Sequence, residues 1–321
     1  MLPAEGASQK RLYNVACDFM SLLITGSVAL DSVKTPVEEH HDLLGGSASY
    51  ASVAASFFVP VNMVGIVGSD FPKDYFDLYR KHRIDLAGLQ VVEGKTFRWS
   101  GEYEWDFNNR RTLSVCLNVF ETFQPSLPAA YRKTPYVFLA NISPQLQMHV
   151  LAQVERPEFV VADTMNLWIE TEREALTELL RKIDCLVLND SEAREFTKQT
   201  SLIKAGRQVL KQGPKYVVVK KGEHGCLLFA DNFFFSAPAY PLEDIHDPTG
   251  AGDCFAGAFT GYLAKTNRIG HDSLRKAVIH GSVIASYCVE AFSLGRLQTL
   301  TQGEIDQRYQ FFKLMSHFEV G

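Results

Sequence analysis

Asp247-Pro248-Thr249-Gly250-Ala251-Gly252-Asp253 is the stretch that decides the fold of this 321-residue chain. Two glycines flank one alanine, so the backbone can turn tightly and approach a ligand closely. The apolar run that follows, from Cys254 to Ala264, has its aromatic residues at helical spacing and predicts a buried helix. A glycine turn at a helix start leaves backbone N–H groups free beside the positive end of the helix dipole. The stretch therefore predicts an anion site at Gly250, Ala251 and Gly252, and phosphate is the anion that suits it.

Asp253 stands at the mouth of the predicted helix, and two roles compete for it. A carboxylate there can accept a proton from a hydroxyl group that attacks a phosphate, which makes it a general base. Asp is also a favoured capping residue, so a lone Asp after Gly would more often be an N-cap. The complete string around Asp253 favours the base.

Composition and charge exclude several classes of protein. The net charge of −5 is mild, and no basic excess points to nucleic acid or to an anionic membrane as a partner. No apolar run is long enough to span a bilayer. The six cysteines lie far apart and mostly within apolar runs, which is typical of reduced thiols in a cytosolic protein. We therefore expect a cytoplasmic protein with a short, loose leader at residues 1–10.

A repeating strand–helix pattern occupies the second half of the chain. Strands are predicted at residues 136–140, 158–162, 184–188, 216–220 and 226–229, and helices at 145–152, 170–182, 191–198 and 204–212. Strands that alternate with helices indicate an α/β fold with a parallel sheet and right-handed crossovers. The run from Leu22 to Asp31 reads as a buried strand that ends in a turn and then an acid, and Val61 to Gly68 reads as a further strand.

The letters D-P-T-G-A-G-D-C-F-A-G-A-F, residues 247–259, resemble the C-terminal signature of the ribokinase family, also called the PfkB sugar kinases. The resemblance implies a ribokinase-like α/β fold, with a central, mostly parallel sheet flanked by helices and a small antiparallel β lid. It also implies that Gly250, Ala251 and Gly252 form the anion hole for the transferred phosphate and that Asp253 is the catalytic base. It extends from Leu22 to about Leu300, and we expect residues 1–321 to form a single domain.

Residues 95–121 interrupt the strand–helix pattern and, together with residues 32–44, are the predicted lid. Aromatic residues alternate with polar or small ones from Phe97 to Phe107, Asn108-Asn109 supplies a hairpin turn, and a second strand returns from Arg110 to Asn118. The resemblance implies that this lid closes over the acceptor and contributes to a homodimer contact. Trp99 and Trp105 are candidates to stack on a sugar or a base, and packing within the lid or the dimer is the alternative.

Residues near the N-terminus are candidates for binding the acceptor. Asp31 ends the run that begins at Leu22, and ligands gather at the carboxyl ends of strands in α/β sheets, although a turn-forming Asp is the alternative. In the resembled family this Asp holds two acceptor hydroxyl groups, and a Gly-Gly pair, here Gly45-Gly46, lets the backbone approach the acceptor. Tyr50 stands where the family has Asn, and packing within a helix is its simplest role.

Two motifs resemble the nucleotide site of the family. Asn189 and Glu192 match its N-x-x-E motif, which organises water around Mg²⁺, although the same residues also suit a helix cap. Lys220, Gly222 and Gly225 match its nucleotide loop, and Ser282 is expected to face the adenine of ATP. Lys220 stands where many members have Thr, so it either contacts the ATP phosphates or is solvated.

A monovalent-cation site, suited to K⁺, is also implied by the resemblance. Asp247 and Thr249 match the start of that site. The loop that should close it, near Val289 to Gly295, departs from the family pattern.

These features predict a kinase that uses ATP and Mg²⁺ to phosphorylate a hydroxyl group of a small sugar, polyol or nucleoside. An oxidoreductase on a Rossmann sheet is disfavoured, because Gly26-Ser27-Val28 lacks the required glycine fingerprint. A non-catalytic sensor that keeps the fold is the other alternative, although it has no need of the base Asp253. The acceptor stays open, since the Gly-Gly-x-Ala-Ser-aromatic pattern resembles the myo-inositol kinase branch and the lid aromatics suit a nucleoside.

Overall fold

The computed structural model describes residues 20–107 and 110–317. The leader expected at residues 1–10 and the hairpin turn expected at Asn108-Asn109 lie outside these ranges. The strands are numbered in chain order: β1 Leu22–Thr25, β2 Ala29–Lys34, β3 Glu39–Gly45, β4 Val61–Gly68, β5 Ile84–Val92, β6 Phe97–Tyr103, β7 Arg110–Cys116, β8 Tyr136–Leu139, β9 Phe159–Asp163, β10 Cys185–Asn189, β11 Tyr216–Lys220, β12 Cys226–Ala230 and β13 Phe233–Ala237.

The α-helices of the described residues are numbered in the same way: α1 Ser47–Ser56, α2 Lys73–Lys81, α3 Pro144–Leu151, α4 Asn166–Thr171, α5 Arg173–Leu180, α6 Asp190–Thr197, α7 Leu202–Leu210, α8 Ala251–Thr266, α9 His271–Cys288 and α10 Gln302–Met315. The single helix predicted at 170–182 is two helices, α4 and α5. The break falls at Glu172, whose backbone leaves the helical region while its carboxylate accepts a hydrogen bond of 2.8 Å from the Ser143 hydroxyl.

Nine strands form the central sheet in the order β13-β12-β11-β10-β9-β8-β1-β4-β5. Neighbours pair in parallel from β11 to β5, and only the β11–β12 and β12–β13 pairs are antiparallel within this sheet. Strands such as β8 and β9 are buried along their whole length, because helices cover both faces of the sheet. The predicted strands of the second half begin within one residue of β8 to β12, so the mostly parallel sheet is confirmed.

A second, four-stranded sheet, which we call the lid, has the order β3-β2-β6-β7. The β2–β3 and β6–β7 pairs are antiparallel, as predicted, whereas β2 and β6 pair in parallel. The run from Leu22 to Asp31 begins with the predicted buried strand, β1, which ends in a turn, but Asp31 itself lies on a second strand, β2 of the lid. Hydrogen bonds between Ser27 and the start of α1 hold the break, since Ser27 N–H donates to Ser47 Oγ at 3.1 Å and Ala48 N–H donates to the Ser27 carbonyl at 2.9 Å.

Helix α8, which follows the glycine turn, lies in the core between α1 and α9. All ten residues of α1 and most of α8 are buried, which explains their Ala, Gly and Ser content, because small side chains let helices approach closely. The start of α8 is thereby fixed in position relative to both sheets. No helix in the described residues is long and apolar enough to cross a membrane.

Candidate active site

The turn before α8 is an uncapped helix start, as the sequence predicted. Gly250 is its N-cap residue, with a φ of +76° that side chains rarely allow, and no side chain caps the first-turn N–H groups. The buried carboxylate of Asp247 shapes the turn by accepting the N–H of Thr249 at 2.9 Å and the N–H of Ser293 at 3.2 Å. The Ala251 N–H donates to the Pro248 carbonyl at 3.3 Å, so the other first-turn N–H groups of α8 are the ones available for an anion.

Tyr50, whose role the sequence left open, packs directly against this turn. A Cβ atom added at Gly250 would lie 2.3 Å from the Tyr50 ring, so no other residue fits at position 250 unless the ring moves. The Tyr50 side chain is only 2% exposed, and its hydroxyl group has no hydrogen-bond partner among the described residues. The residue that replaces the family's Asn thus supports the anion turn.

Asp253 is the third residue of α8 and lies partly buried in its first turn. The helix dipole alone would favour its ionised form, but burial, followed by the negative charge of Asp163, raises the pKa of Asp253 to about 7. The charges of Lys220 and Arg110 oppose that shift. A carboxyl group with a pKa close to neutral is matched to proton transfer at physiological pH.

Lys220 is not solvated: its side chain is 17% exposed, and Nζ lies 3.3 Å from Oδ2 of the buried Asp163. A Cβ atom added at Gly252 would lie 2.8 Å from the same Nζ, so the ammonium group touches the first turn of α8. Burial opposes the charged form, but Asp163, Glu192 and Asp253 outweigh it and raise the pKa of Lys220. A permanent positive charge therefore stands at the predicted phosphate site.

The predicted acceptor residues Asp31, Gly45 and Gly46 come together between the lid and α8. Asp31 lies on β2, is 5% exposed, and has a carboxylate oxygen, Oδ1, without a hydrogen-bond partner among the described residues. Gly45 on the neighbouring β3 leaves room for this carboxylate, because a Cβ atom there would lie 1.9 Å from Oδ2 of Asp31. Burial, and next the charge of Asp247, raise the pKa of Asp31 to about 7, with a smaller contribution from Asp253. Asp31 and Asp253 thus belong to one site.

The two candidate tryptophans of the lid occupy different surroundings. Trp99 lies on β6 directly opposite Asp31 in the parallel pairing of β2 and β6, so both side chains are on the same face of the lid. Its Nε1–H donates to the Thr112 hydroxyl at 3.3 Å, and the Arg110 guanidinium lies 5.0 Å from its ring centre. Trp105 lies in the turn beyond β6 and is 83% exposed. The structure brings Trp99, but not Trp105, next to Asp31.

Asn189 and Glu192 form a capping box at the start of α6. The Glu192 N–H donates to Asn189 Oδ1 at 2.8 Å, and the Asn189 N–H donates to Glu192 Oε2 at 2.7 Å. Burial raises the pKa of Glu192 to about 8, although Lys220 opposes this. No cluster of three or more acidic, His or Cys side chains in the described residues could hold a metal ion directly. A Mg²⁺ ion at this position would therefore be bound through water and phosphate oxygens, as Mg²⁺ commonly is.

The predicted nucleotide loop follows β11. Gly222 has a φ of +55° and open space around it, whereas a Cβ atom at Gly225 would lie 2.0 Å from the Ala237 carbonyl oxygen. Gly222 therefore leaves room for a ligand, and Gly225 serves the packing of the loop on β13. Ser282 on α9 is buried and interacts with the thiol of Cys226, the residue paired with Lys220 across β11 and β12.

Thr249 and the loop near Ser293 are held together by contacts within the protein. The Thr249 hydroxyl and the hydroxyl of Tyr103 from the lid lie 3.1 Å apart, and the Ser293 hydroxyl donates to the Leu44 carbonyl at 2.5 Å. With Ser293 also bonded to Asp247, this loop joins the lid to the anion turn.

Three residues that sequence reasoning missed complete the site: Arg110, Asp163 and Tyr103. Asp163 is the last residue of β9. Ligands gather at the carboxyl ends of strands in α/β sheets, and this criterion, which we applied to Asp31, fits Asp163 better. Arg110 begins β7, and its charge partly opposes the rise in the pKa values of Asp31, Glu192 and Asp253, so it acts electrostatically on all three carboxyl groups. No comparable signal in the sequence points to Arg110.

Comparisons with known proteins give similarities over most of the chain. The family model described as "pfkB family carbohydrate kinase" matches residues 24–299. The cytidine kinase of Thermococcus kodakarensis is 28% identical, over 81% of this chain and 96% of its own. The nucleoside kinase of Thermoplasma acidophilum is 24% identical, over 92% and 97% respectively.

Solved structures of the ribokinase family share the fold. The nucleoside kinase of Methanocaldococcus jannaschii has a TM-score of 0.74 at 21% identity, over 91% of this chain and 98% of its own. The Arabidopsis thaliana ribokinase complexed with ribose and ATP has a TM-score of 0.72 at 20% identity, over 90% and 98% respectively.

Proposed function

This chain belongs to the pfkB family of carbohydrate kinases, and we propose that it transfers the γ-phosphoryl group of ATP to a hydroxyl group of a nucleoside. The observation that carries the proposal is that Asp253 lies in the uncapped first turn of α8 and interacts electrostatically with the buried Asp31. A protein that binds the acceptor without catalysing a reaction would need Asp31 but not Asp253.

Asp253 acts as the base in this reaction. As the acceptor oxygen attacks the γ-phosphorus, its O–H proton moves to the Asp253 carboxylate, an O–P bond forms, and the bond to the ADP oxygen breaks. The N–H groups of the turn from Gly250 to Gly252, and the Lys220 ammonium beside it, balance the charge on the transferring group. The elements that hold these groups are packed in the core, which keeps the groups in position for the reaction.

The acceptor lies between the lid and α8. Asp31 accepts hydrogen bonds from its hydroxyl groups through the unpartnered Oδ1, while Gly45 and Gly46 leave the space that the carboxylate and the ligand need. We assign stacking on the acceptor to Trp99, because it lies beside Asp31, and not to the exposed Trp105. A carboxylate for hydroxyl groups next to a large aromatic face suits a nucleoside, and relatives named as cytidine and nucleoside kinases support this choice.

We place ATP and Mg²⁺ beside β10 and β11. Glu192, with Asn189, would hold Mg²⁺ through water, and the ion would neutralise phosphate charge. Gly222 and Ser282 would border the nucleotide, with Gly225 shaping the loop. A K⁺ ion beside Asp247 and Thr249 stays a prediction: buried negative charge favours it, but both Asp247 oxygens already accept backbone N–H groups.

We further propose one catalytic domain acting in the cytoplasm, where the free thiols of the five described cysteines would persist.

An assay of ADP release with ATP and Mg²⁺ tests the proposal against a panel of nucleosides, ribose, fructose and myo-inositol. We expect the highest kcat/KM with a nucleoside. A sugar or cyclitol as the best substrate would overturn the acceptor assignment but keep the kinase. Binding of acceptors without ADP release from any of them would instead establish the sensor.

The lid also supports a homodimer. Strand β7 is the edge of its sheet, all seven of its residues are exposed, and Leu113, Val115 and the following Leu117 add apolar side chains to that edge. A second copy pairing at this edge would satisfy its free backbone groups. Light scattering should give twice the chain mass, and Leu113→Lys should return the monomer mass.

A further inference from the structure

We propose that Asp163 is a positioning residue, which holds the Lys220 ammonium at the place of the terminal phosphate of ATP. The inference rests on the proposed function and adds to it a residue that only the fold brings to the site. Asp163 and Lys220 are 57 positions apart, and they meet because β9 and β11 both flank β10 and end at the same edge of the sheet.

The orientation of the Asp163 carboxylate is fixed by its two oxygen atoms. Oδ2 lies 3.3 Å from Lys220 Nζ, and Oδ1 accepts the N–H of Thr164 at 2.8 Å. Asp163 is buried at the end of β9, so neither oxygen can move without breaking one of these contacts. The carboxylate therefore determines where the ammonium group of Lys220 is held.

The ammonium group lies at the start of a helix. Lys220 Nζ lies against Gly252 in the first turn of α8, where the helix dipole disfavours positive charge and the carboxylates of Asp163, Glu192 and Asp253 offset this effect. An ammonium group next to the backbone N–H groups of a helix start is suited to a phosphate, which both would bind.

The phosphate in question is the terminal one, because Asp253 lies one residue beyond Gly252 and marks where transfer occurs. ADP has no group at this place. Lys220 should therefore contribute to the affinity for an ATP analogue and not to the affinity for ADP. This difference separates Asp163 from a residue that merely stabilises the nucleotide loop.

The experiment compares calorimetric Kd values for ADP and for the non-hydrolysable analogue AMP-PNP, both with Mg²⁺. Lys220→Met should weaken AMP-PNP binding relative to ADP by about tenfold or more, the size expected for a charged hydrogen bond. Asp163→Asn should also weaken AMP-PNP binding relative to ADP binding. The double variant should weaken it no further than Lys220→Met alone. Removing a negative charge would by itself tighten phosphate binding. Weaker binding of AMP-PNP relative to ADP in Asp163→Asn would therefore show that Asp163 acts by positioning Lys220.

Lys215→Met is the matched control. Lys215 precedes β11 at its other end and pairs with Asp184 at 2.8 Å, but its side chain is 73% exposed and far along the strand from α8. Its loss should leave both Kd values unchanged. Melting temperatures confirm that each variant is folded, and Asp163→Glu replaces Asp163→Asn if the latter does not fold. Glu keeps the charge but moves the carboxylate. An unchanged affinity for AMP-PNP relative to ADP in Asp163→Glu would therefore overturn the positioning role.

The outcomes separate this inference from the proposed function. If the protein turns over a nucleoside but Asp163→Asn leaves the affinity for AMP-PNP relative to ADP unchanged, only the positioning role is overturned. Absence of turnover would overturn the proposed kinase, while the affinity ratio would still decide the role of Asp163. A wild-type protein that binds neither nucleotide would overturn both.

Discussion

The anion turn and the lid hold their functional side chains in different ways. Around the turn, two charged side chains have fixed partners: Asp247 accepts two backbone N–H groups, and Lys220 is paired with Asp163. In the lid, β7 is exposed along its whole length, Trp99 contacts Arg110 and Thr112, and Arg110 also bonds to Tyr103. Groups that perform chemistry need a rigid frame, whereas groups that enclose a substrate must let it enter and leave.

Asp31 belongs to both regions. It lies on a lid strand, yet it is buried against Gly45 and interacts electrostatically with Asp247 and Asp253. Under the proposed function, the most rigid part of the lid would hold the acceptor hydroxyl groups, and its outer strands would cover the acceptor. The following experiments test this division, beginning with the largest expected effect.

Asp253→Asn should lower kcat by about 10²–10⁴, because it removes the proton acceptor. Size and first-turn position are kept, so the melting temperature and ATP affinity should change little. The measurement is steady-state turnover with the best acceptor of the panel. Turnover within a few-fold of wild type would show that another group is the base, and unfolding would show that Asp253 is needed for the helix.

Gly250→Ala should lower the free energy of unfolding by about 2–4 kcal/mol, since Ala is strained at positive φ and its Cβ overlaps the Tyr50 ring. Gly222→Ala is the matched control, because Gly222 also has positive φ but lies in open space. It should cost about 1–2 kcal/mol from the backbone alone. Equal losses in chemical denaturation would mean that the Tyr50 contact does not constrain the turn.

Trp99→Ala should weaken acceptor binding by about 1–3 kcal/mol, the range for stacking of a base on an aromatic ring. It should raise the acceptor KM and leave the KM for ATP unchanged. Trp105→Ala, its exposed counterpart, should alter neither value. If both tryptophan variants shifted the two KM values alike, the lid aromatics would only pack the lid or the dimer.

The pH dependence should run in opposite directions for activity and for stability. With the pKa of Asp253 at about 7, kcat/KM should fall about tenfold per pH unit below pH 7, as the base becomes protonated. The folded-state pKa values of Asp31 and Asp253 are raised, so the folded protein binds protons that the unfolded chain has released. Stability of the ligand-free protein should therefore decrease as the pH rises from about 4 through 7. A melting temperature that increases over this range would contradict the burial of these carboxyl groups.

Local features were predicted best. The strand–helix pattern placed β8 to β12 within one residue at their starts, because strands buried on both faces are continuous apolar runs. The glycine turn and the helix after it were also visible, since φ preference and helical periodicity are properties of neighbouring residues. The strand β13 and the division at Glu172 were missed, because neither has a distinct local signal.

The sequence by itself determined the fold class and the glycine turn before α8, and it singled out Asp31 and Asp253 as candidate site residues. Only the tertiary structure paired Asp163 with Lys220, packed Tyr50 against Gly250 and separated Trp99 from Trp105. It also raised the pKa of Asp253 to about 7, because burial and the charge of Asp163 outweigh the helix dipole. Short-range conformational preferences are encoded in adjacent residues, whereas desolvation and charge–charge interactions depend on which distant segments the fold brings together.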